Sequence, residues 1–194
     1  MASIAAFFPL VLAASATSSF SHKRDDNDNG TSEEVFEITA LSGTFPSTGP
    51  YGTGPIASSL QITLSYPSPD DATNASATTT CSYSWPSTTP PGPTDWTECA
   101  DPSLQWRLPA DGWTGVGNYV VEVYECLSGD GVTSGLLATH GLAMRPAQPS
   151  DPDAYLSCLQ MGSFTPYVCT IDGPLSARHG AVVMDVEAVD ARPA

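Results

Sequence analysis

Asp25 to Gly30 reads "DDNDNG", the spacing of oxygen ligands and glycine that opens an EF-hand calcium loop. Such a loop also needs a bidentate glutamate at its twelfth position. Counting from Asp25, that position is Phe36, which has no oxygen to offer, and Glu33 and Glu34 arrive too early. Calcium is not expected here. A second constellation is Asp185 with Glu187: on an extended strand the two carboxylates share one face about 7 Å apart, a separation usable in glycoside hydrolysis. The alternation Val182, Met184, Val186, Ala188 gives those carboxylates a plainer role, facing water while the apolar set faces a core. The histidines His22, His140 and His179 stand far apart in sequence, and no metal site is expected from them. Gly-X-Ser-X-Gly, His-Glu-X-X-His and Cys-X-X-Cys patterns do not occur. The sequence points to no catalytic residue, no metal and no cofactor.

The segments around these residues indicate a secreted chain. Ile4 to Ala14, "IAAFFPLVLAA", has the length of a signal-peptide core and is too short to span a bilayer. Small residues Ala14 and Ala16 then provide a cleavage site, so residues 1–16 are expected to be removed. Lys23-Arg24, the one dibasic pair, would end a short pro-segment over 17–24 and leave Asp25 as the mature N-terminus. Residues 25–33 form an acidic tail expected to be disordered. Asn29-Gly30-Thr31 and Asn74-Ala75-Ser76 are acceptors for N-glycosylation in such a chain.

Loss of Lys23 and Arg24 leaves four arginines against 21 acidic residues, a formal charge of −17 compared with −15 for the full chain. That surface repels nucleic acid and anionic membranes, so neither is an expected partner. A protein or a neutral glycan remains. Trp85, Trp96, Trp106 and Trp113 raise the glycan reading, because flat aromatic faces stack on sugar rings, although aromatic side chains of a small β-domain also fill its core.

Apolar residues recur at period two, and helical periodicity is absent. Val35–Leu41 puts Phe36, Ile38 and Ala40 on one face, and Leu60–Tyr66 does the same with Leu60, Ile62, Leu64 and Tyr66. Further strands are expected over Thr78–Trp85, Leu104–Leu108, Tyr119–Cys126, Leu136–Ala143, Tyr167–Ile171 and Ala181–Val189. Clusters such as "PSTGPYGTGP" and "WPSTTPPGPTD" separate them with turns. The pattern predicts an all-β class: one antiparallel barrel or sandwich over 34–194, with a short C-terminal tail. Five cysteines in an oxidising compartment imply disulfides with one left over. Spacing favours the local pairs Cys81–Cys99 and Cys158–Cys169, with Cys126 as the spare thiol. Along its strand Tyr119, Val121 and Val123 share one face, while Cys126 shares the other with Val120, Glu122 and Tyr124. A shielded Cys126 is expected, and any dimer is then non-covalent.

The order "VFEITAL", "TTTCSYSW", "DWTEC", "SLQWRLP", "YLSC", "PYVC" and "AVVMDVEAV" resembles the Alternaria major allergen family of fungal secreted proteins, over roughly Glu34 to Val189. The resemblance implies a compact β-barrel with the same two local disulfides. It also implies a non-enzymatic allergen-like or effector-like protein that binds a host or cell-wall protein outside the cell. Two features depart from the family. No cysteine precedes Cys81, where the type member carries one that links a dimer, and the stretches Gly43–Pro55 and Pro146–Pro152 read as insertions.

Overall fold

A computed structural model describes residues 35–47, 56–67, 76–127 and 133–194. The signal, processing and glycosylation positions Ala16, Lys23, Arg24, Asn29 and Asn74, and the acidic segment 25–33, lie outside the described residues.

The period-two segments form strands that assemble into two antiparallel sheets. The first runs β3-β2-β1-β10-β9, from β1 (Glu37–Phe45), β2 (Ser58–Pro67), β3 (Ser76–Trp85), β9 (Leu156–Gln160) and β10 (Tyr167–Ile171). A two-residue strand, β11 (Val182–Val183), adds to the start of β1. The second runs β12-β8-β7-β5-β4, from β4 (Thr97–Glu98), β5 (Leu104–Arg107), β7 (Asn118–Cys126), β8 (Thr133–Ala143) and β12 (Asp185–Ala191), with β6 (Trp113–Gly115) also on β7. No strand pairing joins the two sheets among the described residues. The architecture is therefore a sandwich, and the closed barrel implied by the family resemblance is corrected.

Each sheet buries one face. Ile38, Leu60, Ile62 and Leu64 from the first meet Leu104, Trp106, Val121, Val123 and Leu142 from the second, all at 0 or 1 % exposure. Burying such side chains contributes roughly 1.5–3 kcal/mol each against the entropy of ordering the chain. One end is filled by aromatic rings. Trp113 stacks on Tyr119 at 5.0 Å, and Phe45 lies 6.0 Å from Trp85 and 5.7 Å from Trp113. On β8, Gly135 admits a close approach: a Cβ there would meet the Glu125 carbonyl at 2.3 Å and the Tyr124 ring at 2.6 Å.

Several details depart from simple alternation. A register shift between Ile38 and Ala40 turns Leu41 inward and leaves Ala40 exposed, so the expected Phe36, Ile38, Ala40 face ends at Ile38. A bulge adds one residue to one strand and so reverses the side-chain parity beyond it. The single closing strand expected over Ala181–Val189 is two strands in different sheets: β11 pairs β1, β12 pairs β8, and the chain crosses between them at Met184. Met184 is 4 % exposed, and its N–H donates to the Phe36 carbonyl at 2.9 Å. Beyond the crossing the inward alternation fades, Val186 being half-buried and Ala188 exposed.

Both local disulfides form. Cys81 on β3 joins Cys99 next to β4 and so ties an edge of the first sheet to the second. Cys158 and Cys169 stand directly opposite each other on β9 and β10. Peptide mapping without reduction should join the Cys81 and Cys99 peptides and, separately, those of Cys158 and Cys169. Replacing either pair by serine should lower stability by about 3 kcal/mol on the loop-closure estimate. A Cys81 to Cys158 link would contradict the fold.

Candidate binding surfaces

The positions singled out by sequence fall apart in space. Asp185 and Glu187 are exposed on the outer side of β12, as the alternation required. His140 on β8 has its Nε2 buried 3.9 Å from Asp153 Oδ1, and His179 Nδ1 lies 3.2 Å from Asp172 Oδ1. Among the described residues no three His, Cys, Asp or Glu side chains gather into a group that could hold a metal ion. Cys126 is half-buried at the end of β7 and lies outside both disulfides. Phe36, at the position where a calcium loop would need glutamate, is fully buried in the core.

None of the tryptophans offers an open platform. Trp106 is fully buried and Trp85 is 5 % exposed, while Trp113 is stacked on Tyr119. Trp96 is covered on the outer side of the second sheet. The Arg107 guanidinium lies 4.4 Å from its ring centre, the Tyr124 ring lies 5.9 Å away, and Nε1 donates to the Pro193 carbonyl at 2.7 Å. Arg107 also bonds Glu122 at 2.7 Å and reaches the Ala194 carbonyl, while Arg192 bonds Gln105. The tail is thus laid across the outer face of β5 and β7. This covering buries Tyr124 completely, although alternation had placed it on the polar face with Glu122.

A linked group of Tyr66, Asp101, Ser103 and Glu125 was not found from sequence. The Tyr66 hydroxyl, at the end of β2, donates to Asp101 Oδ2. Oδ1 of Asp101 accepts from the Ser103 N–H at 2.9 Å and the Ser103 hydroxyl at 2.7 Å. Glu125 is 3 % exposed, and its charge adds to that of Asp101 in acting on Tyr66. One signal for it was present: Glu125 continues the inward series Tyr119, Val121, Val123. Burial, then the Asp101 contact, raises the Tyr66 hydroxyl above the ordinary tyrosine range, and burial does the same to Tyr119. The Tyr66 hydrogen bond holds the Asp101 carboxyl below its ordinary value of 3.8, outweighing burial, with Ser103 assisting.

Asp101 also anchors an open groove of about 580 Å³ where β2 and β3 meet the loop after Cys99. Thr63, Thr78, Thr79 and Thr80 line it with Ala100, Asp101 and Pro102. The Ala100 N–H donates to the Thr80 carbonyl at 2.8 Å, and the Asp101 N–H to Thr79 Oγ1 at 2.9 Å, so the wall is braced from behind.

A further surface lies at the far end of the same sheet. Leu159 and Val168, paired across β9 and β10, are 37 % and 44 % exposed, and Met161 and Phe164 in the intervening turn are 87 % and 64 % exposed. From Tyr155 to Ile171 the chain carries no charged residue.

The protonation states set the pH response. A carboxyl held low in the folded state stabilises above its unfolded value of about 4 and loses that contribution as pH falls. Tyrosines held high stabilise up to about pH 10, and that contribution is lost as pH rises further. The thermal midpoint should therefore fall on both sides of the neutral range. Tyr66→Phe should cost about 2 kcal/mol near neutrality and flatten both limbs. Thermal melts of both proteins across pH, compared with each other, cancel the general effect of discharging an acidic chain. An acid limb unchanged by Tyr66→Phe would contradict the assignment.

No family model, curated protein or solved structure matches this chain, and the functional reading rests on the surfaces just described.

Proposed function

We propose that this protein is secreted and works outside the cell as a non-enzymatic binding protein, similar in kind to the Alternaria major allergen family, by docking onto a host or cell-wall protein. The observation that carries this reading is the apolar corner of Leu159, Met161, Phe164 and Val168. Four large apolar side chains stand exposed on a chain whose net charge is −15. Contiguous exposed apolar groups on a soluble domain mark interaction sites, and methionine and aromatic residues are enriched at interface cores. The Cys158–Cys169 bond crosses the hairpin that presents them, so little ordering entropy opposes docking. Self-association through this corner would bring two strongly acidic copies together. A partner with a recessed apolar site and a basic rim answers both the uncharged corner and the acidic surroundings.

The compartment has separate support. Two disulfides fit an oxidising environment, and among the described residues no helix is long and apolar enough to cross a membrane.

Two experiments test the reading. Immobilised protein should retain a basic protein from a host extracellular extract, and Met161→Asp with Phe164→Asp should reduce that retention about tenfold or more. Glu187→Lys, on the opposite sheet, should not reduce it. Equal retention by the corner variant would remove the proposed surface. A hydrolase screen on plant and fungal polymers should release nothing above blank, and turnover that survives repurification would overturn the non-enzymatic reading.

A further inference from the structure

The first sheet is nearly free of charge. Its six strands carry one charged residue, Glu37, whereas the second sheet carries Glu98, Arg107, Glu122, Glu125, Asp185, Glu187 and Asp190. Strand pairing lays hydroxyl and amide side chains in rows across its outer side. Thr80 stands opposite Thr63, and Ser82, Gln61 and Ser42 stand abreast on β3, β2 and β1. Such rows repeat about every 4.8 Å across the strands and about 6.7 Å along them. At one end they run into the open groove lined by Thr63, Thr78 and Thr80.

We infer that this groove and the adjoining β2–β3 face form a binding site for a neutral polysaccharide. The groove lies within the few hundred Å³ typical of small-molecule and sugar-sized sites. Beside the apolar Ala100 and Pro102, its unengaged polar groups are threonine hydroxyls, each of which donates and accepts, as do the hydroxyls of an uncharged sugar. The one carboxylate in the wall is already engaged: Asp101 accepts from Tyr66 and from Ser103 twice. It therefore fixes the wall rather than presenting an acceptor for a cation. By contrast, no hydrogen bond from the side chains of Thr63, Thr78 or Thr80 to a protein group is found among the described residues. An anionic polymer finds no positive charge here, and a protein partner finds few of the aromatic and arginine side chains that dominate protein interfaces. The site is separate from the apolar corner, and each can fail without the other.

Co-sedimentation with washed insoluble β-glucan tests the inference, with polygalacturonate as the anionic comparison. The wild-type protein should sediment with the neutral glucan, to the same extent between about 0.05 and 0.5 M salt because no ion pair is involved, and should not bind polygalacturonate. The triple variant Thr63→Val, Thr78→Val, Thr80→Val keeps shape and strand propensity while removing the hydroxyls. Its glucan binding should fall about tenfold, with a thermal melt confirming the fold. Thr80→Lys should weaken binding as well, and the Met161→Asp, Phe164→Asp protein should bind glucan as the wild type does. Failure of the wild type to sediment, undiminished binding by the folded valine variant, or equal binding to polygalacturonate would overturn the proposal.

Discussion

Burial of one face of each sheet against the other is the constraint from which the rest of this molecule follows. The core between them takes Phe36, Ile38, Ile62 and Leu64 from one side and Leu104, Trp106, Val121 and Val123 from the other, all fully enclosed. Because strand side chains alternate, fixing the inner set also fixes which side chains are left outside. The bulge after Ile38 and the crossing at Met184 are the places where the chain changes parity or changes sheet to keep that core filled.

The two outer faces that result are unlike. On the second sheet, Arg107 bonds Glu122 and covers Trp96, the tail crosses the same strands, and acids line β12. An ion pair only 13 % and 17 % exposed, backed by an aromatic ring, is a structural fastening. The first sheet offers hydroxyls, the Gln61 amide and, at its β9–β10 end, exposed apolar groups. The strand charges thus lie almost entirely on the second sheet, and the first carries only Glu37. Both proposed binding surfaces belong to that nearly uncharged sheet, at opposite ends of it.

Much of this was legible in the residues. Leu60 to Tyr66 and Tyr119 to Val123 show strict alternation, and their burial follows it. Cysteine spacing gave both disulfides because each closes a short local loop, with sequence separations of 18 and 11. What stayed hidden depends on distant partners. Tyr66 and Asp101 are 35 residues apart, and nothing local in either segment signals their bond. Tyr124 packs against Trp96 and is fully buried, so the polar face assigned to β7 was only partly polar. The tryptophans suggested a sugar platform by their number, but packing consumed them. The hydroxyl rows that replace them as the sugar-facing candidate emerge only once β1, β2 and β3 are placed in register.

The groove proposed on β2 and β3 takes a neutral glycan through threonine hydroxyls, with no charge taking part. Backbone amide NMR of the isotopically labelled protein, titrated with soluble neutral β-glucan oligosaccharides, reports on every strand at once. Saturable shifts are expected in β2, β3 and the loop from Ala100 to Pro102, with β7, β8 and β12 unmoved. Shifts centred on the charged second sheet, or no shifts at all, would contradict the proposed site.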